Sequence, residues 1–153
     1  HTTIVEEILK PEYDCLLGLA CTDVRNNDIW AQLKKLSDYI SDYFDPIRKE
    51  VRGRAVASSV SPVLITKMLM GTLGCVPAYD RFFQDGVATY KVTTREYSPE
   101  SVRRLVDFYE EHNDRLEEAR RGMRVGDLIY PQMKVLDMGL WQVGFERDAG
   151  DAK

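Results

Sequence analysis

Apolar residues return at intervals of three and four along nearly the whole chain, and that spacing makes the helix its main building element. Ile29, Leu33, Leu36, Ile40 and Tyr43 form the clearest run. All five fall on one stripe of a helix, whereas a strand facing a core would need alternation at every second residue. A second stripe is Val102, Leu105, Val106, Tyr109, His112 and Leu116, and a third is Met133, Leu136, Leu140 and Val143. The segment from Val63 to Met70 is apolar nearly all round, with Lys67 as its only charge, so it is expected in the centre of the domain.

Local signals set the boundaries. Ser61-Pro62 and Ser98-Pro99 each pair an N-cap hydroxyl with a first-turn proline. Residues 2–22 read as helix with a break at Pro11, which suits the first position of a second helix. Asn26 or Asn27 caps a helix over 28–44, and Asp45-Pro46 stops it. Residues 55–60 read as loop, and Gly71 to Pro77 as a tight connector. A short helix then runs from Ala78 to near Gly86, and Tyr90 to Thr94 has no partner for a strand. A long helix is expected over 99–121, a loop between Gly122 and Gly126, and a last helix from Tyr130-Pro131. The resulting fold class is all-α, a compact orthogonal or irregular bundle of about six to seven helices. It forms one domain over 1–145 with a polar tail at 146–153 that is expected to fray.

Composition narrows the function classes. A chain of 153 residues buries roughly 68–70% of its unfolded surface, so it needs no metal or disulfide to fold. The net charge of −4 does not favour generic nucleic-acid binding. Cys15, Cys21 and Cys75 are odd in number and far apart, which suits reduced thiols in the cytoplasm. No apolar run approaches the roughly 20 residues of a membrane span, and His1 to Glu7 lacks the pattern of a signal peptide.

Few groups remain for chemistry. Apart from His1 the only histidine is His112, which sits on an apolar stripe and reads as a packed structural residue. No histidine-based metal site fits, and no metal or cofactor is implied. Gly71-Thr72-Leu73-Gly74 lacks the Gly-Lys-Ser/Thr ending of a phosphate loop. Thr72 there could hold an anion or simply belong to a connector. Lys67 must reach water or meet an acid, and Asp80 lies across the glycine turn. The two read either as an ion pair with a helix cap or as an acid–base pair in a cleft. Asp137 precedes Trp141 by one helical turn and reads as a buried structural acid accepting a hydrogen bond from an indole N–H or a backbone group, with catalysis as the alternative. Arg48, Lys49, Arg52 and Arg54, with Arg120, Arg121 and Arg124, offer a phosphate-binding face or an ordinary solvated surface.

From Lys67 to Phe83 a buried helix, a glycine turn, a proline and an aspartate opening a helix follow in order. This stretch resembles part of the helix-hairpin-helix DNA glycosylase superfamily, and Leu136 to Trp141 resembles the final helix of small helical proteins similar to that superfamily. The resemblance implies a catalytic Asp80 supporting attack at a glycosidic carbon, and Lys67 as the candidate nucleophile. The superfamily's Leu-Pro-Gly-x-Gly hairpin is absent: Ser61-Pro62-Val63 stands where it is expected.

Three functional readings follow. The first is a non-enzymatic helical interaction or binding protein, with a protein partner. The second is a nucleic-acid-associated protein with a degenerate glycosylase-like site, with Asp80 and Lys67 catalytic, Thr72, Tyr79, Arg81 and Trp141 on the substrate, and Arg48, Arg52 and Arg54 on phosphates. The third is a small-molecule-binding domain using Tyr79, Phe82, Phe83 and Trp141.

Overall fold

The computed structural model describes residues 2–50 and 60–151, with the backbone alone at 48–50 and 151. The α-helices among them are α1 (Thr2–Ile8), α2 (Asn27–Glu50), α3 (Pro62–Thr72), α4 (Arg81–Thr89), α5 (Pro99–Glu111), α6 (Asn113–Gly122) and α7 (Gln132–Asp151). Two 3₁₀ segments, Pro11–Leu16 and Cys21–Arg25, separate α1 from α2. The described residues contain no strand, so the chain is all-α. Tyr90 to Thr94 is a turn, in which Lys91 takes a left-handed φ of 54°.

The caps behave as their chemistry requires. Ser61 Oγ accepts the Leu64 N–H, Ser98 Oγ accepts the Ser101 N–H, and Asn26 Oδ1 accepts the Asp28 N–H. Leu33, Leu36 and Ile40 of α2 are fully buried against Leu69, Phe83, Leu105, Met133 and other members of one continuous core. Burying such side chains contributes roughly 1.5–3 kcal/mol each.

Several boundaries differ from the expectation. After the 3₁₀ segment at Pro11, the chain turns at Gly18, whose φ is +59°. Its N–H donates to Leu73 O at 2.8 Å, and residues 17–20 are not helical. Helix α2 passes through Pro46 to Glu50. An interior proline loses one backbone hydrogen bond, a cost the helix tolerates here although its last buried residue among those described is Ile40, more than a turn earlier. The long helix expected over 99–121 is divided at His112, where φ is −111° and ψ is 20°. Asn113 and Asp114 follow, and such residues favour helix starts over interiors. Only Thr66 and Leu69 of α3 are fully buried. Lys67 holds one side of that helix outward, because its ammonium must keep water or an acid. The segment expected to fray from Glu146 is helical as far as Asp151.

Helices α4 and α7 approach most closely through two glycines. A Cβ at Gly86 would lie 1.8 Å from the Leu140 carbonyl oxygen, and one at Gly144 would lie 1.9 Å from that of Phe82. Only glycine permits backbones this near each other. That contact fixes α7 beside the connector that leads into α4, and so shapes the site described next.

Candidate functional site

Helix α3, the connector before α4, and α7 enclose a cleft of about 660 Å³. Lys67, Asp80 and Asp137 line it together, with Lys134, Met70, Met138 and Trp141. Spacings of three and four along α7 place Lys134, Asp137, Met138 and Trp141 on one face. The cleft is within the size range of ligand sites.

Each carboxylate in it is held twice. Asp80 is the N-cap of α4: Oδ1 accepts the Phe83 N–H at 3.2 Å, and Oδ2 lies 3.2 Å from Lys67 Nζ. Lys67 remains 53% exposed, so the pair itself is worth little to stability. Asp137 is 5% exposed. Its Oδ1 accepts the Ala78 N–H at 2.9 Å and its Oδ2 meets Lys134 Nζ at 3.1 Å. Burial raises the Asp137 pKa, and the Ala78 and Lys134 contacts oppose the rise without cancelling it. The backbone acceptor reading of Asp137 therefore holds. The indole of Trp141 instead stacks on Phe145 and meets Phe82 edge-on.

The other residues singled out in the sequence are elsewhere. Tyr79 turns into the core, where its hydroxyl shares a 2.8 Å hydrogen bond with Ser101 Oγ. Its ring packs on Phe83 and Tyr97, so Tyr79 and Phe83 do not join Trp141 in an aromatic ligand site. Burial pushes the Tyr79 hydroxyl well above its ordinary pKa. Arg81 reaches Asp148 at 2.7 Å and lies over the Phe82 ring, outside the cleft lining. Thr72 Oγ1 donates to Met68 O at 2.7 Å and borders a separate apolar hollow with Leu9 and Leu17. Gly71 and Thr72, expected in the connector, form the last turn of α3; the chain leaves the helix at Gly74, whose φ is +66° and which packs on Pro131. Arg52 and Arg54 lie outside the described residues, as does the side chain of Arg48. The expected partners of that basic cluster are engaged locally: Arg120 pairs with Glu117 and Arg124 with Asp127, while Arg121 Nε donates to Glu117 O.

His112 is exposed, not packed in the core. The helix break turns it outward, and its ring meets Phe108 edge-on at 4.5 Å. Cys21 and Cys75 are buried free thiols, each pushed up to about 12 by burial, and Cys15 is an exposed one. Among the described residues no group of three or more His, Cys, Asp or Glu is arranged to hold a metal ion. None of their helices is long and apolar enough to cross a membrane.

Three features escaped the sequence reading. Lys134 was legible as the i−3 partner of Asp137, a spacing that places both on one face. Glu117 is a hub: it accepts from Tyr109 Oη at 2.8 Å, Gln132 Nε2 at 2.7 Å and Arg120 Nε at 3.0 Å. Gln132 Oε1 in turn accepts the Cys21 N–H at 2.8 Å, tying the N-terminal segment to α6 and α7. A further apolar groove, of about 300 Å³, lies between α5, α6 and the opposite face of α7. Comparison with protein-family models, with curated proteins and with solved structures found no match to this chain.

Proposed function

We propose that the protein is a non-enzymatic binding domain that presents the cleft between α3, the connector before α4, and α7. The observation that carries this reading is that every oxygen of both cleft carboxylates already holds a structural partner. Asp80 caps α4 and holds Lys67, while Asp137 holds the Ala78 N–H and Lys134. Each of these oxygens is committed to a backbone N–H or an ammonium that ties one element of the fold to another, which supports a structural role for both acids. The ion pairs form a fixed polar floor, and Met70, Met138 and Trp141 supply adaptable apolar wall. Free, mostly buried thiols support a cytoplasmic location.

A second reading rests on Lys67, whose amine stands beside Asp80 and half open to solvent. That arrangement is compatible with the glycosylase-like chemistry implied by the resemblance, in which the amine attacks a sugar carbon. The full chain incubated with duplex DNA containing an abasic site, with borohydride present, separates the two. The binding reading predicts neither strand cleavage nor a covalent adduct, because no Schiff base forms. An adduct made by the wild type and lost in Lys67→Ala would replace it with the second.

A further inference from the structure

The groove between α5, α6 and α7 differs from the cleft in its charge. In the cleft each lysine has a carboxylate partner. No carboxylate lines this groove among the described residues, yet Arg115 and His112 do; on their other side the same two residues line a hollow of about 270 Å³ with Glu110, Glu111 and Asp114. Arg115 has no ion pair among the described residues, in contrast to Arg25, Arg81, Arg95, Arg104, Arg120 and Arg124. His112 and Arg115 stand three residues apart at the start of α6, which places them on one side of it. The helix break at His112 is what brings both to the groove's edge.

Its interior is apolar. Phe108, Leu116 and Val143 are half-buried walls, Val135, Leu136 and Leu140 are buried beneath them, and Gly139 leaves bare, exposed backbone beside them. A Cβ at Gly139 would meet nothing within 4 Å, so the missing side chain is open volume. An outer hollow of about 570 Å³ shares Tyr90, Phe108 and His112 with the groove. Its acids are Asp107, already bound to Arg25, and Glu111, while Lys91 and Arg104 are its cations.

We propose that this groove binds an amphipathic monoanion, a carboxylate with a short apolar tail. Arg115 and His112 take the head group, and the tail lies over Gly139 between Phe108, Leu116 and Val143. An arginine fork matches a carboxylate with two parallel hydrogen bonds. The tail displaces water from apolar surface that no side chain covers. The proposal is independent of whether the α3–α4–α7 cleft is catalytic.

Calorimetric titration of the full chain with octanoate tests it, with octylammonium as the head-group control. One saturable site is expected for octanoate and none for octylammonium. Arg115→Glu, at an exposed position, should weaken octanoate by about tenfold or more. Gly139→Leu should abolish binding by filling the open space over Gly139, with the melting temperature kept. Absence of saturable octanoate binding, equal binding of octylammonium, or affinity unchanged in Arg115→Glu would overturn the proposal. The Arg115 variant decides the matter even if Gly139→Leu fails to fold.

Discussion

Asp137 Oδ1 accepts the backbone N–H of Ala78 at 2.9 Å, across the interface between α7 and the connector that enters α4. Two residues beyond Ala78, Asp80 starts α4 and holds Lys67 of α3. Three helices are thus joined at one cleft by two acids, and the same contacts that build the cleft occupy its carboxylates.

Asp137→Ala removes the acceptor and leaves the buried Ala78 N–H unpaired. The expected loss is about 1–3 kcal/mol in denaturant unfolding at neutral pH. Asp137→Asn keeps an acceptor oxygen and should lose distinctly less. Equal losses in the two variants would show that the Ala78 bond is not what matters.

The acid limb of stability should carry two opposed contributions. Burial raises Asp137 from its ordinary 3.8, so the folded protein holds that proton more tightly than the unfolded chain. Its contribution is fully present below 3.8 and is lost as pH rises through the folded value. For Glu117, burial works upward, but hydrogen bonds from Gln132, Tyr109 and Arg120 outweigh it and hold the carboxyl below its ordinary 4.5. That contribution is present above 4.5 and is lost as pH falls through the folded value. Unfolding free energy followed against pH should lose the first slope in Asp137→Asn and the second in Glu117→Gln.

Two glycines of α7 should respond in opposite directions. Gly144→Ala drives a methyl into the Phe82 carbonyl oxygen and should cost about 1–3 kcal/mol through overpacking. Gly139→Ala places its methyl in open space, and should gain about 0.5–1 kcal/mol from the lower entropy of the unfolded chain. Thermal unfolding of the two variants in parallel gives the comparison.

Much of this architecture could be read from local chemistry. Ser61, Asn26 and Ser98 are caps in both sequence and structure, and the α2 stripe from Leu33 to Ile40 is core. The approach of Lys67 to Asp80 followed from the cost of leaving an ammonium unpaired. What escaped depends on contacts distant in sequence. Pro46 looks like a helix end, yet α2 continues through it to Glu50. His112 looks like core because Tyr109 and Leu116 share its spacing, and only the break before Asn113 turns it outward. Gly86 and Gly144 carry no local signal of the helix that each one touches. Tyr79 stands next to Asp80 in sequence, yet faces Ser101 in the core.

The cap at Asp80 offers the most direct test of the claim that the cleft's acids are structural. The measurement is the unfolding free energy of Asp80→Ala against the wild type at neutral pH, with Asp80→Asn alongside. Loss of the α4 cap predicts a fall of about 0.5–2 kcal/mol in Asp80→Ala, largely restored in Asp80→Asn because asparagine also caps. Unchanged stability in Asp80→Ala would contradict the account.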